Sequence, residues 1–447
     1  MTDNVISLPP ERVDILSEID IADCFAGQHE DELRYVAKWG QWFRYDGTRW
    51  KEEQTLKTFD LARQLCKELT PRGLNNQNEV KKVRSSKTVA AVIQIARADR
   101  RLAATIDQWD RNPLELNTPD GVIDLKTGSV RPHKPKDYMT KTTAVGPGGE
   151  CPLWQEFLKT FTCDDANIQS YLKRMCGYCI TGLTIEEALF FLFGTGGNGK
   201  GVFMHTIAGI MHEYHRAAPM EVFIASSVDR HPTELAMLHG ARLVTATETE
   251  EGKRWDEPRI KALTGRDPIS ARFMRQDFFE FVPQFKLVIG GNHRPGLRTV
   301  DEAIRRRMNL IKCAAKISKE QLDTKLAEKL KSEWPGILKW MIDGCVEWQD
   351  GGLKPPSEVL ASTDQYLQSE DAFGSWLEEC CQQKPDNTET SAKLWDSWRL
   401  WAGSANEFVG TQRRFLQKVE DRGFTRDRVL DTDNKRKRGF IGLSVIM

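Results

Sequence analysis

Apolar and polar positions follow two rhythms along this 447-residue chain. Residues 33–50, LRYVAKWGQWFRYDGTRW, alternate aromatic and polar positions around Asp46-Gly47. That period of two, closed by a tight turn, predicts a hairpin. Residues 54–70 and 79–105 carry the three-to-four-residue spacing of helices. NTPDGVIDLKTGSVRPHKP (117–135) reads as two short strands joined at Lys126-Thr127-Gly128, with a turn before them. AVGPGGECP (144–152) interrupts the pattern and predicts a boundary. Helical spacing returns from 153 to 187, through Trp154, Phe157, Phe161, Tyr171, Leu172 and Met175. The apolar run Leu189–Phe193 then predicts a buried strand, followed by a helix to about Tyr214. Further strands are predicted at ARLVTAT (241–247) and FKLVIGGN (285–292). Strands alternating with helices predict an α/β layer with a largely parallel sheet. DGGLKPPSE (350–358) predicts a second linker. The tail, 359–447, combines helix signals with NKRKRGF, read as a turn between two short strands.

Composition changes this picture in three places. No apolar run approaches the ~18 residues that span a bilayer. The start, MTDNVISLPPERVDILSEID, has no apolar signal core, so a cytoplasmic location without membrane contact is expected. Ten cysteines are scattered, and Cys176 and Cys179 have no second ligand pair at zinc spacing. They are expected to be core thiols. HEYH (212–215) is one residue short of HExxH and is read as helix surface. Acidic and basic residues balance at 64 each, but locally they do not. Residues 81–142 hold thirteen Lys/Arg against seven Asp/Glu, 271–310 eight against four, and 410–447 ten against five. Three basic regions in a neutral chain suit a polyanion touched at several points.

The candidate chemistry begins at GTGGNGK, which fits GxxxxGK across Gly194, Thr195, Gly196, Gly197, Asn198, Gly199 and Lys200. Such a loop wraps phosphates with backbone N–H groups, and the helix after it aims its own free amides at the same anion. Lys200 adds a cation for the β and γ phosphates. Gly201 stands where a hydroxyl residue ordinarily contacts Mg²⁺, so the metal must be held by phosphates, water and carboxylates elsewhere.

A nucleotide hydrolase also needs a carboxylate at the end of a neighbouring strand. RLVTATETEEG offers Glu248, expected to orient metal and attacking water, with Glu250 next. Asn292 ends KLVIGGN, as a group sensing the γ-phosphate should. DEAIRRRMNLI supplies Arg305, Arg306 and Arg307, and an arginine offered across a subunit interface stabilises a transferring phosphoryl group. Between them, ISARFMRQDFFEF reads as a hairpin with Arg272 and Arg275 near its tip, a lever for a nucleic-acid backbone.

Together GTGGNGKG, ARLVTATETEEGKRW, LTGRDPISARFMRQDFFEF, FKLVIGGNHRP and DEAIRRRM resemble superfamily 3 helicases, specifically the phage and plasmid primase-helicases. The resemblance is strongest from 188 to 310 and extends to most of 33–447. NTPDGVIDLKTGSVRPHKPKDYMTK resembles the region preceding the helicase in phage and poxvirus-type members. The resemblance implies a P-loop, AAA+-like ATPase core with a parallel sheet, a mixed α+β N-terminal domain and a C-terminal winged helix. The expected division is 1–146, then 147–350 (helical lead-in 153–187, core 188–312, helical lid 313–350), then 358–447. The resemblance also implies ATP and Mg²⁺, with Gly199 and Lys200 on phosphate and Glu248 as the acid that holds metal. Asn292 is then the sensor, and Arg306 or Arg307 the finger acting on a neighbour's ATP. A homo-oligomeric ring, usually hexameric, would move on single-stranded DNA through Arg272 and Arg275. A basic wing of Lys435, Arg436, Lys437 and Arg438 would hold duplex DNA. The first 140 residues offer no zinc ribbon and no carboxylate set for primer synthesis, so a primase or polymerase is expected as a separate chain. The host compartment expected is a bacterial cytoplasm, with the gene carried by a phage or mobile element.

Two other readings stand beside this one. An ATP-dependent origin binder or loader would assemble on DNA without unwinding it, and strand displacement on a fork separates the two. A small-molecule kinase has no use for the hairpin or the arginine triplet.

Overall fold

The computed structural model describes residues 17–70, 77–226, 232–247, 252–275, 277–298, 300–317, 323–405, 407–431 and 433–446. The described residues open with α1 (Glu18–His29), β1 (Leu33–Val36), β2 (Gln41–Tyr45), β3 (Trp50–Glu52), α2 (Lys57–Glu68), α3 (Gln77–Val83), α4 (Ser86–Ala96) and β4 (Ala103–Ala104). Ser17 and Asp20 close a capping box that starts α1. The aromatic hairpin lies at β2–β3, where the Asp46 carboxylate accepts from the amides of Thr48 (2.8 Å) and Arg49 (2.9 Å). The helix expected over 79–105 is split. α3 ends at Val83, the Ser85 hydroxyl caps α4 by accepting from the Thr88 amide, and 103–104 pair with β1. Sheet order is β3-β2-β1-β4, and Phe25, Trp42, Leu65 and Val92 fill the core beneath it.

Next come β5 (Glu115–Thr118), β6 (Gly121–Asp124) and β7 (Ser129–Arg131), an antiparallel meander with one strand more than the pattern predicts. Leu116, Ile123 and Leu125 enter the main core beside Trp154 and Met175. Residues from 115 onward thus already pack with the main core, ahead of the boundary expected at 146. The glycine-rich 144–152 segment is itself tied down, with the Ala144 amide on the Ile210 carbonyl (2.9 Å) and the Gly148 amide on that of Pro335 (3.0 Å).

The central layer comprises α5 (Pro152–Phe161), α6 (Ala166–Cys179), β8 (Leu189–Phe193), α7 (Lys200–Met211), β9 (His215–Ala217), α8 (Thr233–Ala236), β10 (Leu243–Thr247), α9 (Glu257–Thr264), β11 (Ile269–Ala271), β12 (Phe279–Phe281), β13 (Lys286–Gly291), α10 (Glu302–Arg305), β14 (Met308–Lys312), α11 (Leu326–Leu330) and α12 (Trp334–Gly351). Five strands pair in the order β14-β8-β13-β10-β9, every pairing parallel. HEYH is not a helix surface. It is a short turn with Tyr214 buried, and His215 begins the edge strand with its Nε2 2.8 Å from Thr245 Oγ1.

In α12, Ile337, Leu338, Met341 and Cys345 lie in the main core against α6. Cys176 and Cys179 sit in that same core, and burial raises both thiols above their usual range. Residues 350–358 are not a free linker, because Leu353 is buried and its carbonyl accepts from Arg174 Nε at 2.9 Å. α13 (Ser357–Ser369) then returns to the sheet, with Thr363 Oγ1 accepting from the Leu310 amide at 3.0 Å.

The remaining unit is α14 (Ala372–Cys380), β15 (Cys381–Thr390), α15 (Ser391–Ser404), α16 (Gln412–Asp421), β16 (Thr425–Leu430) and β17 (Arg436–Val445). Trp376, Trp398, Phe415 and Phe440 form its separate core. The expected basic turn is displaced. The Lys435 amide donates to the Asp431 carboxylate in the turn, whereas Arg436, Lys437 and Arg438 are strand residues facing Leu430, Val429 and Arg428. No described helix is long and apolar enough to cross a membrane.

α6 and α12 touch through glycines. A Cβ at Gly177 would stand 2.1 Å from the Cys345 amide nitrogen, and one at Gly344 2.2 Å from the Lys173 carbonyl oxygen. Backbone cannot yield as a side chain does, so overpacking here reaches or exceeds the usual ~1–3 kcal/mol. Gly177→Ala should lower unfolding free energy by at least about 2 kcal/mol, read from the urea midpoint.

Candidate active site

β8 fixes the geometry of the site because it pairs on both sides. Phe193 lies opposite Gly291 of β13 and Lys312 of β14. The chain leaves β8 at Gly194, which has φ +154°, and turns through Gly197 (+76°) and Gly199 (+88°) into α7. Those values suit glycine, and a Cβ at Gly194 would also sit 2.5 Å from the Cys313 carbonyl oxygen. Asn198 is buried, with its Nδ2 donating to that same carbonyl at 3.1 Å. Its side chain thus staples the loop to the end of β14 instead of facing outward. Gly201 has open space around its Cβ position, so no crowding demands glycine there.

The Lys200 amine donates to the Gly194 carbonyl and to Asn292 Oδ1 (3.0 Å), bridging the loop to the end of β13. Burial holds its pKa below the ordinary lysine value. A cation resting on neutral oxygens, beside loop amides and the N-terminus of a twelve-residue helix, is the arrangement that receives a polyphosphate. β10 ends at Thr247, level with Gly290. Glu248 and Glu250, which follow it, lie outside the described residues.

The arginines occupy the opposite end of the sheet. Met308 pairs with Leu189, the first residue of β8, so Arg306 lies beyond the start of both strands. Five strand residues at ~3.3 Å each, about 16 Å, already separate that end from the glycine loop of the same chain. Arg305 pairs with Asp364 of α13 at 2.8 Å. Arg306 is exposed and meets Glu187 at 2.8 Å. Arg307 is different: its side chain is 7% exposed, and it meets Glu187 at 2.5 Å, Thr264 Oγ1 at 3.1 Å and the Ala303 carbonyl at 2.7 Å. It is committed inside its own chain. Glu187, Thr264 and the nearby Arg266 carried no sequence signal, because nothing local to them announces a partner more than forty residues away.

β11 and β12 form the expected hairpin, with Ile269 opposite Phe281. The Arg272 guanidinium lies over the Phe278 ring at 4.7 Å, and Arg275 takes a left-handed backbone (φ +62°) at the tip. Met274 and Phe278 are exposed beside them. Phe279 and Phe281 pack at its base against His239.

Residues 22–163 match the family described as D5 N terminal like, and 192–307 match a family of unknown function, DUF5906. A protein named as a candidate helicase, L207/L206 of Acanthamoeba polyphaga mimivirus, is 25% identical over 317 residues, covering 65% of this chain and 33% of its own length. Candidate helicase 022R of Frog virus 3 (isolate Goorha) is 23% identical over 338 residues, covering 70% of this chain and 33% of its own. The chain thus spans about a third of the length of these curated relatives. Among solved structures, the A form apo structure of the NrS-1 C terminal region matches with TM-score 0.51 at 10% identity, over 97% of this chain and 100% of that one. The A form of its 305–718 version gives 0.52 at 11%, over 96% and 100%. At such identity the likeness carries the fold alone. A D5-like amino-terminal region leads into the stretch that bears the glycine loop, and the viral relatives are named as helicases, so the chain is similar in both parts to phage and viral primase-helicases.

Proposed function

We propose that this chain is the ATPase and DNA-unwinding portion of a superfamily 3 helicase, working as a ring in phage, prophage or mobile-element replication without a primase centre of its own. The observation that carries the reading is the Lys200–Asn292 bridge, which joins a phosphate-type loop to the next strand at the same end of a parallel sheet. ATP fits the loop because Gly194, Gly197 and Gly199 bring backbone close and Lys200 supplies the cation. Mg²⁺ would be held through the phosphates and Glu248 or Glu250, since Gly201 offers no hydroxyl, and would neutralise charge building on the phosphoryl oxygens.

In this mechanism Lys200 holds the β and γ phosphates, Asn292 orients the γ-phosphate, and Glu248 aligns water for in-line attack. Arg306 of one subunit serves the nucleotide of the next, because its own loop lies at the far end of the sheet. Arg307, fully engaged inside the chain, is the frame from which Arg306 projects. Arg272, Arg275 and the exposed Phe278 ring offer charge and a stacking face to single-stranded DNA. The order α14-β15-α15-α16-β16-β17 supports a winged-helix reading of the tail, with Lys435 to Arg438 on duplex phosphates. Gly201 favours a second reading, an ATP-dependent initiator or loader that binds DNA without unwinding it. Displacement of a strand from a forked duplex with ATP supports the first, and stable DNA binding without displacement supports the second.

Lys200→Ala should reduce ATP hydrolysis at least about 100-fold, since it removes the cation on the transferring phosphoryl. Turnover within twofold of wild type would sink the assignment. Asn198→Ala should leave the fold intact and weaken ATP binding about tenfold, by freeing a loop now stapled through buried hydrogen bonds worth ~1–3 kcal/mol. Equilibrium titration with a fluorescent ATP analogue reads it. Replacing Lys435, Arg436, Lys437 and Arg438 with alanine should weaken duplex binding and flatten its salt dependence, by about 0.9 in slope per lost phosphate contact. Basal ATPase should not change in that variant, and an unchanged salt slope would count against the duplex role.

A further inference from the structure

One carboxylate organises three arginines at the sheet end away from the glycine loop. Glu187 has a left-handed backbone (φ +51°), with its amide on the Thr184 carbonyl at 3.1 Å. Such a conformation is unfavourable for a non-glycine residue, so surrounding contacts must hold it. They do: Oε2 meets Arg306 at 2.8 Å and Arg307 at 2.5 Å, and Oε1 faces Arg266 at 3.9 Å. Arg307 is interior. Arg306 and Arg266 flank the carboxylate from the solvent side, with side chains 58% and 64% exposed. Glu187 can neutralise only one of the three guanidinium charges, so the exposed pair stays positive.

The two exposed arginines are also held in register with each other. Arg266 lies two residues past Thr264, the last residue of α9, and Thr264 Oγ1 accepts from Arg307 Nε at 3.1 Å. Arg307 in turn is the neighbour of Arg306. A buried guanidinium thereby sets the spacing of two surface ones. Planar guanidinium forks match phosphate oxygens in pairs, and two together suit a polyphosphate better than a single carboxylate ligand.

We propose that Arg266 joins Arg306 in a two-guanidinium seat for the phosphates of the nucleotide bound by a second copy of this chain, and that Glu187 is the residue that positions both. This rests on the reading that ATP is shared between neighbouring copies. The occupant follows from charge and reach: the patch is cationic, and the glycine loop of its own chain is about 16 Å away along the sheet at the least. Glu187 holds the arginines at rest and keeps them ordered when phosphate arrives.

The test uses the full chain assembled with ATP and Mg²⁺. Arg266→Ala should lower kcat at least tenfold while fluorescent-ATP affinity stays within twofold, and Arg266→Lys should recover part of the loss. Mixed with Lys200→Ala protein, Arg266→Ala should regain hydrolysis, because the Lys200→Ala subunit donates an intact Arg266 to a neighbour with an intact loop. Absence of recovery at every mixing ratio, with both proteins co-assembled, would overturn a role between copies. Glu187→Gln keeps shape and one acceptor, and should reduce kcat with ATP KM within twofold. If it lowers only the fraction of folded, nucleotide-binding protein and leaves turnover per bound nucleotide unchanged, Glu187 is structural and its positioning role falls. Arg306→Ala separates the underlying reading from this one. If it hydrolyses like wild type, the shared-nucleotide reading itself fails; if it is inactive while Arg266→Ala is fully active, only the two-arginine seat fails. Loss of single-stranded DNA binding in Arg266→Ala at unchanged basal kcat would likewise reject the nucleotide role.

Discussion

The parallel pairing of β8 with β13 on one side and β14 on the other is the constraint on which the rest depends. Parallel strands put all their carboxyl ends at one edge of the layer, so Gly194 and Asn292 emerge side by side. The same pairing sends the residues before β14 to the other edge. Within β8 the side chains alternate between two cores: Phe190 and Leu192 enter one, Leu189 and Phe191 the other. A shift of one residue would exchange the faces and strand apolar groups against the wrong core. Register is therefore specified by burial on both faces, and the separation of the two chemical ends comes with it.

The lower edge of that sheet is fastened by cations on carbonyls. Arg242 donates to Ile180 (2.9 Å) and Glu115 (2.7 Å), and stacks over Tyr214. Lys286 is fully buried, donating to the carbonyls of Thr181, Leu183 and Gln284, and burial lowers its pKa to about 7. Both lie just beyond the carboxyl end of α6, where positive charge complements the helix dipole and unpaired carbonyls need donors. The β5–β7 meander is bound to the sheet through the same Arg242. With Leu116, Ile123 and Leu125 in the main core, that bond joins residues 115–131 to the central layer.

Local signals were legible and long-range ones were not. Leu189–Phe193, the glycine loop, the strands at 243–247 and 286–291 and the hairpin tip at Arg272 each announce themselves within a dozen residues. Arg307 gave no hint of being buried, because its distinction from Arg306 rests on Thr264 and Glu187, 43 and 120 positions away. The apolar stripe of α12 was visible, but whether it covers a site or fills a core depends on α6. Proline and glycine at 350–358 suggested freedom, yet Arg174 holds that backbone from a distant helix. Arg436 to Arg438 alternate too little to read as strand, and their pairing with β16 supplies what their own pattern lacks.

The contact between α6 and α12 has a consequence for how this chain can drift in evolution. What fills the space above Gly177 is the main chain of Gly344 and Cys345, and what fills the space above Gly344 is the main chain of Lys173. A clash between side chains can be relieved by shrinking the opposite residue. A clash with main chain leaves nothing to shrink. Neither glycine therefore has a compensating second site, and the two helices form a point where the sequence is frozen by geometry alone.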